Sequence, residues 1–216
     1  MSTTGPVTIL VHGVWMHGVV MELQRHYLAG QGFNAHCYSY HSMAPTLTEN
    51  AQQLAEFASA QDASPIHWVG HSLGGLVILQ MLESTAALPP GRVVLMGTPF
   101  QGSYAARALG SHQLGAMALG HSLAEWIARD KPHRFPGREI GVIAGSHQFG
   151  LGLLVAHDLP EPNDGVVAAA ETELPGARDR IVLPVSHSGM LISHSLANQT
   201  AAFLRDGHFD HETARD

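Results

Sequence analysis

Short apolar runs alternate along this chain with longer segments whose apolar residues recur every three or four positions. The first pattern is typical of buried strands, and the second of helices that pack one face on a sheet. A chain in which these two patterns alternate is expected to fold into parallel strands joined by crossover helices. We therefore predict an α/β fold with a mostly parallel sheet of about six strands, flanked by helices. The predicted strands are Val7–Val11, Phe33–Tyr40, Ile66–His71, Arg92–Gly97, Glu139–Gly145 and Arg180–Val185.

The helical patterns lie between and after these runs. The clearest covers Thr46–Gln61, where leucines and alanines recur at helical spacing. A second, apolar helix follows Gly75 and stops before the breaker Pro89-Pro90-Gly91, and Ser193–Leu204 is predicted to close the fold. These helices form the expected scaffold around the sheet.

A long irregular stretch, 98–137, separates the fourth and fifth predicted strands. It contains weak helical patterns around Tyr104–Leu109 and Leu114–Arg129. Long insertions in α/β folds tend to be functional, so we predict that residues 100–137 form a small cap over a pocket; the alternative is a long crossover. The charged segment 207–216 lacks periodicity and is predicted to fray.

The composition fits one globular domain over residues 1–216. Of the 216 residues, 45% are hydrophobic and 13% are charged, and a domain of this size buries roughly 70% of its unfolded surface without disulfides or a structural metal. The net charge of −7, with no Lys/Arg cluster, argues against a nucleic-acid partner. No apolar run could span a membrane. With no export leader and the single cysteine Cys37, we expect a soluble, cytoplasmic protein; no oligomeric state is favoured.

Sixteen histidines are the unusual number in the composition, and they raise the question of a metal site. His67 and His71 are four residues apart, but the residues between them have the pattern of a strand, not of a helix. The chain also lacks an HExxH motif. We therefore expect no metal site.

The junction between the third strand and the apolar helix carries a chemical motif. Gly70-His71-Ser72-Leu73-Gly74 matches the pattern GxSxG in the strand-turn-helix context that this pattern requires. In that context the serine projects from a strained turn, and the two glycines let strand and helix approach each other. Ser72 is therefore predicted to be a nucleophile; the alternative is a chance glycine-rich turn.

A serine hydroxyl is a weak nucleophile at neutral pH, so it needs a base and a group that orients that base. In this class of sheet the acid and then the histidine follow the serine along the chain. Asp164 lies in a turn after the fifth strand and His187 follows the sixth, both at carboxyl ends of strands, where parallel sheets gather ligand-binding groups. We predict Asp164 over Asp158 from its turn position. His187 is preferred over His194, which falls inside the closing helix.

A serine nucleophile also needs two N–H donors for the oxyanion that develops on the substrate. The N–H of Leu73 directly follows the nucleophile. The second donor is expected in the loop after the first strand, where Gly13 permits a turn and Val14 offers its N–H. His12, in the same loop, is assigned to loop structure.

Apolar residues near these donors could bind an acyl chain. Trp15 and Met16 lie beside the oxyanion loop. Further candidates come from the predicted cap: Leu114, Met117 and Leu119. Of these we single out Trp15, Met16 and Met117 as substrate-binding residues. The alternative is that such side chains pack the cap onto the sheet.

Together these motifs resemble the α/β-hydrolase superfamily, and more narrowly its small bacterial lipase and esterase members. The resemblance covers about residues 7–204, and the order of the motifs is more specific than any one of them. The motifs are VHGVW at 11–15, GHSLGG at 70–75, MGTPFQGS at 96–103, NDGVV at 163–167 and SHSGML at 186–191. The resemblance implies Ser72 as nucleophile, His187 as base, Asp164 as its partner, and Val14 and Leu73 as oxyanion donors.

Two departures limit what the resemblance implies. The chain is short for the superfamily, and the resemblance implies that its first strand corresponds to the third of the usual eight. It also lacks an acidic cluster of the kind that binds calcium in some related secreted lipases, so a secreted fat-digesting role is not expected.

The predicted function is a serine hydrolase that cleaves carboxylic esters of small or acyl-chain substrates, without a cofactor. A thioesterase or acyltransferase would use the same three residues, but the few lysines and arginines disfavour a basic entrance for coenzyme A or a carrier protein. A non-catalytic binding module on this fold would typically have lost part of the triad, and all three residue types are present.

Overall fold

The computed structural model describes residues 5–85, 88–105, 107, 113–132, 135–149 and 159–213, with the backbone alone for residues 113–119. Its centre is a sheet of six strands in which every neighbouring pair is parallel. The strands are β1 Val7–Val11, β2 Asn34–Tyr38, β3 Ile66–His71, β4 Val93–Met96, β5 Ile140–Gly145 and β6 Asp179–Leu183. Their spatial order is β2-β1-β3-β4-β5-β6. The predicted fold class is confirmed, and each predicted strand is present.

Helices flank this sheet on both faces. They are α1 Glu22–Gly30, α2 Leu47–Ser59, α3 Leu73–Ser84, α4 Gln113–Ala128 and α5 His194–Asp206. A capping box starts α2, where the Thr46 side chain accepts from the N–H of Glu49 and the Glu49 carboxylate accepts from the N–H of Thr46. Sequence analysis missed α1, which buries only Gln24 and Leu28 and so lacks a clear apolar stripe. No helix within the described residues is long and apolar enough to cross a membrane.

The two faces of the sheet carry separate hydrophobic cores. One core contains Trp68 and Leu95 and lies under α2 and α3. The other contains Val69 and Val94 and lies under α1 and α5. Successive side chains of a strand point to opposite faces, so a strand covered on both sides must be apolar along its whole length. This requirement explains why β4 and β5 were recognisable as unbroken apolar runs.

The insertion between β4 and β5 docks on α2. In α4, the indole Nε1 of Trp126 donates to the carbonyl oxygen of Phe100 at 2.9 Å. The side-chain amide of Asn50 in α2 donates to the hydroxyl of Ser122 at 2.9 Å. A kink at Gly120, with φ of 71°, divides α4. That residues 100–137 cap a pocket stays a prediction, because 106, 108–112 and 133–134 lie outside the described residues.

The end of the chain departs from expectation. Residues 207–213 were predicted to fray, but Phe209 is buried and its ring centroid lies 4.9 Å from that of Phe203 in α5. The N–H of Phe209 donates to the Asp179 carboxylate at 2.7 Å, and His211 contacts the same carboxylate at 2.9 Å. The prediction was wrong for these residues. The buried ring of Phe209 and the Asp179 carboxylate hold a segment that has no periodicity of its own.

Candidate active site

Ser72 occupies the sharp turn between β3 and α3. Its backbone has φ of 53° and ψ of −122°, and in the described part of the chain only Trp15 shares a positive φ among non-glycine residues. Such a conformation costs about 1–3 kcal/mol in a residue with a Cβ atom, and it survives only where the surroundings impose it. Here the N–H of Ser72 donates to the carbonyl oxygen of Met96 at 2.9 Å, which ties the turn to β4.

The glycines on either side of Ser72 are required by close backbone contacts. A Cβ atom at Gly70 would lie 2.5 Å from the Cα of Gly75. At Gly74 it would lie 2.3 Å from the carbonyl oxygen of Val11. Real Cβ atoms do not approach backbone atoms so closely, so these positions exclude any larger residue. The glycines of the motif therefore bring β3, α3 and the end of β1 together beneath Ser72.

Asp164 and His187 form a buried pair at the carboxyl ends of β5 and β6. The Nδ1 of His187 donates to Oδ2 of Asp164 at 2.7 Å. The other carboxylate oxygen accepts from the N–H groups of Val166 and Val167 at 2.9 and 2.7 Å, and the N–H of His187 donates to the Asp164 carbonyl at 2.9 Å. With the Nδ1 proton held by the carboxylate, the neutral ring leaves Nε2 as a proton acceptor.

Gly97, at the end of β4, lies between the serine turn and this pair. A Cβ atom there would be 3.1 Å from both Oδ2 of Asp164 and Nδ1 of His187. The residue before Gly97 accepts the N–H of Ser72, so the end of β4 touches both parts of the site. None of the hydrogen bonds formed by the described residues joins Ser72 to His187. In hydrolases this contact often tightens only when substrate is bound.

The predicted oxyanion loop lies directly against the serine. A Cβ atom at Gly13 would be 3.1 Å from the Cβ of Ser72. Within the described structure, the N–H groups of Val14 and Leu73 have no hydrogen-bond acceptor, so both stay available to a ligand. The next N–H, that of Trp15, is already used, because it donates to the Ser42 hydroxyl at 3.0 Å.

Two residues that hold this loop were missed by sequence analysis. The first is Ser42, whose hydroxyl accepts from the N–H of Trp15. The second is Tyr40, whose hydroxyl donates to the carbonyl oxygen of His12 at 3.0 Å and whose N–H donates to Nε2 of His12 at 3.3 Å. Tyr40 was predicted to continue β2, but the strand ends at Tyr38 and Tyr40 turns to the loop. No local pattern marks these residues, because their partners lie 27 and 28 positions away.

The other candidate histidines have structural contacts instead. The ring of His12 is buried, stacks on Tyr40 at 4.4 Å and bonds to the carbonyl of Gly13, as its assignment to loop structure anticipated. Burial lowers the pKa of His12. His194 begins α5, is exposed and meets Tyr27 edge-on at 4.9 Å. Across the residues the structure describes, no group of three or more His, Cys, Asp or Glu could hold a metal ion.

The predicted substrate-binding residues differ in their surroundings. Trp15 is 60% exposed beside the predicted oxyanion loop. Met16 is partly buried and packs against the core beneath α1 and α5. The side chains of Leu114, Met117 and Leu119 lie outside the described part, as does the rival acid Asp158.

Comparison with known proteins adds to this geometry. The sequence model of the alpha/beta hydrolase family matches residues 8–215, almost the whole chain. The chain belongs to the alpha/beta hydrolase family. The match includes the strand-turn-helix junction at Ser72 and the segments that carry Asp164 and His187. No functionally curated protein sequence is significantly similar to this alpha/beta hydrolase.

Several solved structures share its fold. A lipase of Bacillus licheniformis, BlEst2 in mature form, superposes with a TM-score of 0.73 at 18% identity, over 93% of this chain and 91% of the lipase. The phospholipase PlaB from Legionella pneumophila gives 0.70 at 16% identity, over 94% of this chain and 57% of that protein. The metagenomic carboxyl esterase MGS0156 superposes with a TM-score of 0.63 at 19% identity, over 87% of this chain and 66% of the esterase. At these identities the likeness establishes the fold.

Proposed function

We propose that this alpha/beta hydrolase cleaves carboxylic esters through an acyl-enzyme formed on Ser72. The observation that carries the proposal is the strained backbone of Ser72 at the turn between β3 and α3. Such strain is retained where it has a function, and here it lies beside a buried His187–Asp164 pair. The names of the lipase, the phospholipase and the carboxyl esterase agree with ester chemistry on this fold.

In the proposed acylation step, the Ser72 hydroxyl attacks the ester carbonyl carbon while Nε2 of His187 takes its proton. Asp164 keeps the Nδ1 proton in place and stabilises the imidazolium that forms. The N–H groups of Leu73 and Val14 bind the oxyanion, and a single such donor is worth about 10²–10³ in kcat. When the tetrahedral intermediate collapses, the C–O bond to the alcohol breaks and His187 protonates the leaving oxygen.

Deacylation repeats these steps with water as the nucleophile. His187 takes a proton from the water as its oxygen attacks the acyl carbon, and the same two N–H groups bind the second oxyanion. Collapse then breaks the bond to Ser72, whose oxygen recovers the proton from His187. The carboxylic acid leaves, and neither step requires a cofactor.

The substrate proposed is a small or acyl-chain ester. Trp15 supports this class, because a large apolar side chain with 60% of its surface exposed stands next to the proposed oxyanion donor Val14. An acyl chain lying against the indole would remove apolar surface of both partners from water.

Active-site labelling with a fluorophosphonate, measured by intact mass and peptide mapping, tests the proposal. We expect one phosphonyl group per chain on Ser72, and none in Ser72→Ala. Ser84→Ala is a matched control, because Ser84 bonds to the carbonyl of Gln80 within α3, away from the site. Absence of labelling on folded protein would contradict the proposal. If Ser72 is labelled, hydrolysis assays with esters and thioesters of graded acyl length would identify the preferred acyl group and leaving group.

A further inference from the structure

His71, the residue before Ser72, is buried completely and has no part in the mechanism above. Its Nε2 lies 3.0 Å from the carbonyl oxygen of His187, 116 positions along the chain. The two imidazole rings are 4.7 Å apart between centroids. His71 therefore links the strand that carries the proposed nucleophile to the backbone of the proposed base.

The chemistry of this contact fixes the state of the His71 ring. A carbonyl oxygen only accepts, so the proton must sit on Nε2 of His71. Burial lowers the pKa of His71 to about 3, so the ring is neutral near neutral pH. Its Nδ1 is then an acceptor, and it is buried without a partner among the described residues. An apolar side chain would avoid that unpaired atom but would leave the His187 carbonyl without its donor, so the bond to this carbonyl accounts for a histidine here.

We propose that His71 is a positioning residue for the reaction: its Nε2–H holds the backbone of His187 so that the catalytic imidazole faces Ser72. The inference rests on the proposed function of Ser72 and His187. His187 is then fixed at three points, namely its N–H on the Asp164 carbonyl, its ring on the Asp164 carboxylate and its carbonyl on His71. Without the third bond, a buried carbonyl loses its donor, and the loop must rotate to find another.

The neutral state of His71 also matters for the imidazolium that forms on His187. A second positive ring at 4.7 Å would oppose that charge. A neutral donor holds the backbone without this repulsion, which distinguishes a histidine of low pKa from a lysine or arginine in the same place.

The test compares two substitutions of equal length. His71→Gln retains an N–H donor near the position of Nε2, whereas His71→Met fills a similar volume with no donor. We expect His71→Met to lower kcat on a p-nitrophenyl ester, and the rate of fluorophosphonate labelling, by about 10- to 100-fold with little change in KM, because a displacement near 1 Å has effects of this size. His71→Gln should recover most of that loss. His67→Met, which removes a buried histidine in contact with Arg92, controls for the loss of any buried imidazole.

Nitrogen-15 NMR of the histidine rings gives a readout that does not depend on activity. In the wild type we expect the His71 ring to be neutral with its proton on Nε2, and we expect His71→Met, but not His71→Gln, to shift the His187 ring signals. A proton on Nδ1, equal rates for the Met and Gln variants, or wild-type rates in His71→Met would each overturn the inference.

The same measurements separate the failure of the inference from that of the proposed function. A wild-type protein that is not labelled contradicts the proposed function, and the inference about the reaction falls with it, while the ring signals still report whether His71 holds the His187 loop. If His71→Met does not fold, His71→Asn replaces it, because its amide is one methylene too short to reach the His187 carbonyl. His71→Asn should then show the loss of kcat and of labelling rate, and His71→Gln should recover most of both.

Discussion

At the scale of single residues, the site depends on the position of one proton. The carboxylate of Asp164 is 1% exposed, and its two oxygens accept from different partners, Oδ2 from His187 and Oδ1 from two backbone N–H groups. The backbone bonds hold the carboxylate in one orientation. Because Oδ2 can only accept, Nδ1 of His187 keeps the proton and Nε2 is left free to act as a base.

Asp164→Asn should therefore remove most of the activity without unfolding the protein. The Asn oxygen can still accept from the N–H groups of Val166 and Val167, which turns the amide nitrogen toward His187. An N–H donor there favours the tautomer with its proton on Nε2, which cannot accept the serine proton. We expect kcat to fall by about 10⁴-fold, measured on a p-nitrophenyl ester.

Asp179→Asn is the matched control for this substitution. Asp179 also contacts a histidine, His211 at 2.9 Å, but half of the His211 side chain is exposed to solvent. The activity of the Asp179→Asn variant should equal that of the wild type. A kcat for Asp164→Asn within about tenfold of the wild type would contradict the assigned role, since correct tautomers are worth far more than that.

At the scale of elements, the junction of β3 and α3 depends on backbone contacts that leave no room for a side chain. A Cβ atom at Gly74 would lie 2.3 Å from the carbonyl oxygen of Val11 and 2.4 Å from that of His12. Both oxygens belong to the backbone at the end of β1, so neither can move aside as a flexible side chain would. The start of α3 is thereby fixed against the proposed oxyanion loop that follows β1.

Gly74→Ala should destabilise the protein by at least about 1–3 kcal/mol, the usual cost of overpacking, and should displace the oxyanion loop. Urea unfolding at neutral pH measures the first effect, and kcat measures the second. Gly30→Ala is the control, because a Cβ atom on this last residue of α1 would have no neighbour within 4 Å. Alanine there should leave stability unchanged or raise it by up to about 1 kcal/mol. Equal stabilities for the two variants would contradict the steric argument.

At the scale of the whole molecule, buried histidines link folding to pH. Burial lowers the pKa of His67 to about 4 and that of His71 to about 3, and it also lowers the pKa of His12. These rings are neutral in the folded protein, whereas in the unfolded chain they take up protons near the ordinary value of 6.5. The unfolded state therefore binds more protons below about pH 6.5, and stability must fall as the pH is lowered.

We expect the free energy of unfolding to be constant above about pH 7 and to decrease between about pH 6.5 and 5, by up to about 1.4 kcal/mol per pH unit for each such histidine. Urea titrations at several pH values measure this slope. His67→Gln should reduce the slope by one histidine's share. A free energy of unfolding that does not vary in this interval would contradict the assignment of neutral buried rings.

Much of this molecule could be predicted from local patterns, for a definite physical reason. Strands such as β4 and β5 are covered on both faces, so their residues are apolar and the runs stand out in the sequence. The GxSxG junction could be recognised because steric contacts exclude all residues but glycine at positions 70 and 74. Asp164 and His187 follow strands, where parallel sheets gather ligand-binding groups, and they do so in the chain order typical of α/β-hydrolases.

What local patterns could not supply are contacts between segments far apart in the chain. The helix α1 has too few buried residues to mark itself, and Phe209 becomes an anchor only because Phe203 and Asp179 lie beside it. Nothing around His71 indicates that its partner is the His187 carbonyl. Periodicity reports which face of an element is buried, but the partner that each polar group finds there is decided by the packing of the folded chain.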